Sequence, residues 1–211
     1  MGYRQTATVI LAVLGTVGGN AFEFKTGDLL FEASGDSEFS NAITEATAGA
    51  DGVSYVHVGM AVVDVDGNTS VIEADPDKGV RIISVEEFLN NSVKIGDRPG
   101  VTVKRLQKEF PAEQAAERAM SHLGEPYDWW YLPGNGKMYC SELIYETFLT
   151  ESGEHIFTAA PMNFRGPDGT IGEFWTKLYD ELGVDVPEGL PGTNPNDMSK
   201  DPVLTEAYRY F

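Results

Sequence analysis

The feature of this sequence that most constrains its fold is a hairpin pattern at residues 53–74. Residues 53–65 alternate in hydrophobicity and are rich in β-branched side chains, and after the turn signal Asp66-Gly67-Asn68 the pattern resumes at residues 69–74. Further strand patterns come early in the chain, at residues 27–32, 79–83 and 101–106. Short helical patterns occur at residues 37–48 and 84–90, and longer ones follow at residues 111–123, 140–150 and 171–182. Because strands cluster early and the longer helices late, we predict an α+β fold with an antiparallel sheet.

The composition limits the classes of partner and site. The chain has 211 residues, with 15 Lys and Arg against 33 Asp and Glu, and its net charge of −18 repels a phosphate backbone. We therefore predict that nucleic acid is not a partner. A single cysteine excludes an internal disulfide and a four-cysteine zinc site. We predict one domain over residues 22–211, with an irregular proline-rich surface segment at residues 185–202.

The first 21 residues differ from the rest of the chain. They contain Arg4 but no Asp or Glu, an apolar run at residues 7–17, and small residues that end at Gly19-Asn20-Ala21. We interpret residues 1–21 as a signal peptide, because the apolar run is too short to span a bilayer. The alternatives are a buried N-terminal helix or an uncleaved anchor. Cleavage before Phe22 predicts an exported protein, periplasmic or secreted, with no stable membrane span.

Cys140 lies between a turn signal at residues 133–137 and apolar side chains at helical spacing from Leu143 to Leu149. It is therefore predicted in the first turn of a helix, where unpaired N–H groups and the helix dipole stabilise an anion. A thiol in that position can ionise near neutral pH and act as a nucleophile. The simpler alternative is a small buried apolar side chain.

His57 and Glu73 lie on the two strands of the hairpin, and the loop length decides whether their side chains share a face. A two-residue turn would direct Glu73 away from His57. A three-residue loop at residues 65–67, with its glycine left-handed, would place Glu73 opposite Gly59 and diagonal to His57. We predict the three-residue loop, since glycine occupies the position that it requires. A buried unpaired acid is costly, so Glu73 needs solvent or a partner, and a purely structural role is the alternative for His57.

Tyr127 begins an aromatic run at residues 127–131, just before the cysteine turn. A phenol can donate a hydrogen bond to a developing oxyanion, although filling the core is an equally simple role. The two tryptophans of this run could line a cleft or fill the core. Residues 64–70 alternate oxygen-bearing side chains as a calcium loop does, but Thr69 stands where an EF-hand requires glycine. We therefore interpret that stretch as part of the hairpin.

Four motifs in a fixed order carry a resemblance to a known family. They are Tyr-Val-His-Val-Gly-Met around His57, Val-Ile-Glu-Ala around Glu73, Gly-Glu-Pro-Tyr-Asp around Tyr127 and Tyr-Cys-Ser-Glu-Leu around Cys140. With Gly-Asp-Leu-Leu-Phe at residues 27–31, this order resembles the permuted papain-like amidases of the YaeF/YiiX type, which are relatives of the NlpC-type cell-wall cysteine peptidases. The histidine precedes the cysteine, the reverse of ordinary papain-like enzymes, and this implies a circular permutation. The resemblance covers about residues 27–150.

The resemblance implies a circularly permuted papain-like fold, in which an antiparallel sheet or barrel packs against helices and the catalytic cysteine begins a helix. It also implies four catalytic roles, for Cys140 as nucleophile, His57 as base, Glu73 as the third polar member and Tyr127 as an oxyanion partner. Tyr131 and Tyr139 are rivals for the last role. This chemistry needs no metal or cofactor.

Three functions remain open at the level of the sequence. The first is an exported cysteine amidase or peptidase that acts on a small peptide or a cell-wall peptide. The second keeps the same nucleophile but acts on acyl lipids, as a hydrolase or acyltransferase. The third is a binding module that keeps the cleft without turnover.

Overall fold

The computed structural model describes residues 22–47, 49 and 52–211, and the predicted signal peptide lies outside them. The strands of this part of the chain are β1 (Leu29–Ala33), β2 (Tyr55–Val63), β3 (Thr69–Asp75), β4 (Gly79–Ser84), β5 (Lys94–Ile95), β6 (Arg98–Pro99), β7 (Val101–Leu106), β8 (Ala160–Pro161), β9 (Pro191–Gly192) and β10 (Leu204–Arg209). Its helices are α1 (Glu38–Ala46), α2 (Val85–Asn91), α3 (Ala112–Ser121), α4 (Cys140–Thr147), α5 (Glu173–Leu182) and α6 (Pro195–Ser199).

Six of these strands form one antiparallel sheet in the order β10-β7-β1-β2-β3-β4. The α+β class and the antiparallel sheet are therefore confirmed. The sheet is open, with β10 and β4 at its edges, so the barrel alternative is not confirmed. Strand β10 was not predicted from the sequence. Leu204 is its one buried residue, and its other side chains alternate little between apolar and polar.

The two faces of the sheet pack against different elements, because side chains alternate along each strand. Val58 and Met60 of β2 face the main core, which includes Ile144 of α4. Ala61 belongs to a second cluster with Phe88 of α2. The pairing of β1 with β2 shifts register next to Glu32, the residue that faces His57. Such a bulge redirects the neighbouring side chains, here at the end of β2 that carries the histidine.

The hairpin of β2 and β3 has the predicted register. Met60 pairs with Ile72, which is the pairing that a three-residue loop requires. Gly67 adopts a φ of 85° in that loop, and the carboxylate of Asp64 accepts two backbone N–H bonds within it. The prediction that the acid and the histidine share a face is confirmed by their contact, and residues 64–70 belong to the hairpin.

The helices begin close to their predicted positions. Ser84 caps α2, and its hydroxyl accepts a hydrogen bond from Glu87 N at 3.1 Å. The helix α4 ends at Thr147 rather than at residue 150, because the backbone of Leu149 pairs instead with His155. Among the described residues, no helix combines the length and the hydrophobicity that a bilayer crossing requires.

The proline-rich segment 185–202 is more regular than the sequence predicts. It contains β9 and α6, with Asn194 as the N-cap of α6 and Pro195 at its first position. Asn196 is fully buried and accepts a hydrogen bond from Tyr55 N at 2.6 Å. The prediction of an irregular surface segment is therefore wrong over α6, which is fixed to the start of β2 beside the candidate site.

The edge strand β4 is partly covered by the segment that follows α3. Val80 N donates to Glu125 O at 2.8 Å, and Gly124 N donates to Val80 O at 2.9 Å. Gly79 has a φ of 72°, and a side chain there would clash with the carbonyl oxygen of Glu125. This pairing fixes the start of the segment that carries Tyr127.

Candidate active site

Cys140 is the first residue of α4, directly after the turn that precedes the helix. The residue is 4% exposed and lines a cavity of about 50 Å³. The aromatic wall of this cavity includes Trp175 and Phe164, and neither tryptophan of the aromatic run 127–131 is among its lining residues. The unpaired N–H groups of the first turn of α4 lie at the thiol end of the helix, where they favour negative charge.

His57 lies between the thiol and Glu73. Its Nε2 atom is 2.6 Å from Oε2 of Glu73, and the thiol of Cys140 lies close enough to the same ring to affect its pKa. Because Glu73 holds Nε2, Nδ1 is the ring nitrogen left for the thiol. Burial lowers the pKa of His57, but the hydrogen bonds with Cys140 and Glu73 outweigh it and raise that pKa well above its usual value. Glu73 is thus in direct contact with His57, and Cys140 lies near the same ring.

Arg81 is a functional candidate that the sequence analysis missed. It stands directly opposite Glu73 on β4, and its Nε donates to Oε1 of Glu73 at 2.9 Å. Its Nη2 atom is also 2.7 Å from Oδ2 of Asp75. Burial raises the pKa of Glu73, but the interactions with His57 and then Arg81 outweigh burial and lower the pKa below its usual value. Glu73 is therefore a carboxylate. The signal was available, since a tight turn at residues 76–78 places an arginine of the next strand across from this acid.

Glu32 is a second carboxyl group beside His57, and it was also missed. It faces His57 across the pairing of β1 with β2, and its Oε1 accepts a hydrogen bond from Val93 N at 3.0 Å. Burial raises the pKa of Glu32, and the charge of His57 offsets part of this effect. No motif marks this residue, because one acid in a short strand is an ordinary pattern.

Tyr127, Tyr131 and Tyr139 all line the Cys140 cavity. The hydroxyl oxygens of Tyr127 and Tyr131 are 3.5 Å apart, and burial raises the pKa of both phenols well above the usual value, so both keep their proton. The hydroxyl of Tyr139 accepts a hydrogen bond from Thr193 N at 3.1 Å. The structure therefore places Tyr127 and both of its rivals around the cavity that Cys140 lines.

The backbone at Tyr131 has a φ of 52°, the one positive value at a non-glycine position among the described residues. The buried carboxylate of Asp128 holds this turn, since it accepts hydrogen bonds from Trp130 N at 3.0 Å, Leu132 N at 2.8 Å and Asn135 Nδ2 at 3.0 Å. A left-handed bulky residue persists only where its surroundings impose it, and such residues concentrate at functional sites.

Two cavities meet at the candidate site. The first, of about 50 Å³, contains Cys140 and the three tyrosines, and the second, of about 250 Å³, contains His57, Glu73 and Arg81. Val56 lines both cavities. The thiol thus opens into a mostly apolar space, and the imidazole into a larger one with charged side chains in its wall.

The other two histidines lie outside this arrangement. His122 Nδ1 is 3.0 Å from Oε2 of Glu125, and His155 Nδ1 is 2.9 Å from the carbonyl oxygen of Tyr145. Within residues 22–47, 49 and 52–211, no group of three or more His, Cys, Asp or Glu side chains is placed to hold a metal ion.

Comparisons with known proteins agree with the family resemblance of the sequence. The family model described as "Permuted papain-like amidase enzyme, YaeF/YiiX, C92 family" matches residues 23–208. The uncharacterized protein YiiX of Escherichia coli strain K12 is 26% identical over 200 residues, which cover 93% of this chain and 92% of that protein. The crystal structure of yiiX from Escherichia coli O157:H7, described as a metalloprotein, superposes with a TM-score of 0.70 at 23% identity, covering 89% of this chain and 98% of that one. The chain therefore belongs to the family of permuted papain-like amidases of the YaeF/YiiX type.

Proposed function

We propose that this protein is a cysteine hydrolase that cleaves an amide bond through a covalent acyl-enzyme. The observation that carries the proposal is the position of the His57 ring, which lies 2.6 Å from the Glu73 carboxylate and close enough to the Cys140 thiol for the two groups to influence each other's charge. A nucleophile, a base and a group that orients the base are the minimum set for this chemistry.

In the proposed reaction, His57 accepts the thiol proton and the sulfur attacks the carbonyl carbon, so that a C–S bond forms and the carbonyl π pair moves to oxygen. Backbone N–H groups at the start of α4 and a tyrosine hydroxyl stabilise the oxyanion. His57 then gives its proton to the leaving nitrogen as the C–N bond breaks. Water, deprotonated by His57, attacks the thioester and releases a carboxylic acid and the free thiol. Glu73 keeps Nε2 protonated and stabilises the imidazolium throughout.

A small peptide or a cell-wall peptide outside the cytoplasm is the substrate that we propose. The family supports an amidase, and the cavity beside His57 has polar walls that suit a peptide leaving group. Export follows from our interpretation of residues 1–21 as a signal peptide.

A second candidate is an acyl-lipid hydrolase or acyltransferase. The cavity at Cys140 favours it, because Ile43, Phe164 and Trp175 give its wall an apolar character that suits an acyl chain. To distinguish the two, the protein is incubated with a peptide amide or with an acyl ester, and the thioester at Cys140 is trapped and identified by mass spectrometry. A thioester at Cys140 formed only from the peptide amide supports the amidase. A thioester formed only from the acyl ester supports the lipid enzyme.

The reactivity of Cys140 tests the enzyme proposal itself. We expect iodoacetamide to alkylate the native thiol rapidly at about pH 7, and His57→Ala to slow alkylation by about 100-fold. His155→Ala is the matched control, since His155 contacts the Tyr145 carbonyl instead of the thiol. If Cys140 reacts only after denaturation, the protein is a binding module on this fold and the proposed function is wrong.

A further inference from the structure

We propose that Arg81 is a positioning residue of this site, which fixes the Glu73 carboxylate against His57 and sets the pH range in which Cys140 reacts. Arg81 acts through Glu73 and touches no reacting atom. The inference rests on the proposed function, because it assumes that the pair of Cys140 and His57 is the reactive unit.

The geometry places Arg81 in one continuous row of contacts. Asp75 Oδ2 lies 2.7 Å from Arg81 Nη2, Arg81 Nε lies 2.9 Å from Glu73 Oε1, and Glu73 Oε2 lies 2.6 Å from His57 Nε2. The row ends beside Cys140, whose thiol influences the ring. Glu73 contacts Nε and Nη2 of the planar guanidinium and Asp75 contacts Nη2, so two carboxylates fix its orientation.

The burial of Glu73 makes this cation necessary. The Glu73 side chain is 4% exposed, whereas that of Arg81 is 26% exposed. A second acid, Glu32, faces the same histidine from β1, and Lys94 interacts with Glu32. A buried carboxylate beside another acid is costly without a partner, and His57 alone supplies a full positive charge only while it is protonated. Arg81 keeps Glu73 ionised in either state of the histidine.

Arg81 and Asp75 must then have opposite effects on reactivity. Iodoacetamide reacts with the thiolate, which the imidazolium of His57 stabilises, so the alkylation rate rises along an acid limb as Cys140 loses its proton. A nearby positive charge favours loss of protons and a negative charge opposes it. Removal of the Arg81 charge should therefore move this acid limb to higher pH, and removal of the Asp75 charge should move it to lower pH.

The experiment measures the rate constant for iodoacetamide alkylation of the full-length protein from about pH 4 to about pH 10. The variants are Arg81→Met, Arg81→Lys, Asp75→Asn and, as a control, Arg209→Met. Arg209 also lies in an ion pair, with Glu206, but it is on β10 at the opposite edge of the sheet. Circular dichroism and Tm show which variants fold.

We expect Arg81→Met to raise the midpoint of the acid limb by about one pH unit, Asp75→Asn to lower it by less, and Arg81→Lys to restore most of the wild-type profile. The Arg209→Met profile should match wild type. The inference is wrong, while the proposed function stands, if the acid limbs of Arg81→Met and Asp75→Asn do not shift or if they shift in the same direction. Should Arg81→Met fail to fold, the Asp75→Asn shift and the Arg81→Lys profile decide in the same way. An unreactive wild-type thiol overturns both proposals.

Discussion

The two halves of the candidate site are built in different ways. The His57 half lies on neighbouring strands, where Glu73 is paired with Arg81 by strand register and contacts His57 across the hairpin. The Cys140 half lies on a helix start and on an irregular segment, where a buried carboxylate holds the turn at Tyr131. In the first half charges satisfy one another, and in the second half phenols and aromatic rings surround the thiol. The sheet therefore supplies the electrostatics of the site, and the segment between α3 and α4 supplies its shape.

Replacement of the nucleophile tests whether the two halves form one reactive unit. We expect Cys140→Ser to reduce amide hydrolysis by at least about 10⁴-fold, because the residues of such a unit act together. The measurement is hydrolysis of a peptide amide by purified protein, with Tm as the check on folding. Activity within about tenfold of wild type would mean that the thiol is not the nucleophile.

The His57 half is tested next by Glu73→Gln. This change removes the charge that stabilises the imidazolium and leaves Arg81 with one carboxylate partner, so we expect hydrolysis to fall by about 10³-fold. The matched control is Glu154→Gln, an exposed acid in the loop after α4. The structural account of His57 fails if both variants keep wild-type rates.

The Cys140 half is tested by comparing Tyr127→Phe with Tyr131→Phe. Loss of the hydroxyl that stabilises the oxyanion should lower the rate of hydrolysis by about 100-fold, while KM changes little. Tyr139→Phe completes the comparison, because the Tyr139 hydroxyl accepts the Thr193 N–H and still has its own proton to donate. If all three variants hydrolyse the substrate at the wild-type rate, backbone N–H groups alone stabilise the oxyanion.

These halves also differ in how well the sequence predicts them. Glu73 could be placed beside His57 because one glycine, Gly67, fixes the loop length and therefore the register. Arg81 follows from the same logic applied to the next turn, although our sequence analysis did not take that step. The geometry around Tyr131 could not be predicted, since its left-handed backbone depends on long-range burial of Asp128. Strand register is a local property, and the shape of an irregular segment is not.

The smallest expected effect concerns a buried acid of the Cys140 half. Burial raises the pKa of Glu142 to about 8, from 4.5 for an ordinary glutamate. The folded state thus binds this proton more tightly than the unfolded chain does. Its contribution to stability is present below pH 4.5 and is lost as pH rises through about 8.

Glu142→Gln mimics the protonated acid and should remove this loss. We expect its Tm to exceed that of wild type by at least about 3 °C at pH 9, with little difference at pH 4.5. Glu154→Gln, at an exposed position, should show no such dependence on pH. Parallel Tm curves for Glu142→Gln and wild type across this range would contradict the raised pKa.

The backbone pairing of Val80 with residues 124 and 125 has a consequence beyond the site. An uncovered edge strand is a template on which a second chain can add a strand, and this is a common route to aggregation. On β4 the outward-facing N–H and C=O groups of Val80, next to Gly79, are hydrogen-bonded to the protein's own chain. The same contact that fixes the start of the tyrosine segment therefore also blocks strand addition at the Gly79 end of β4.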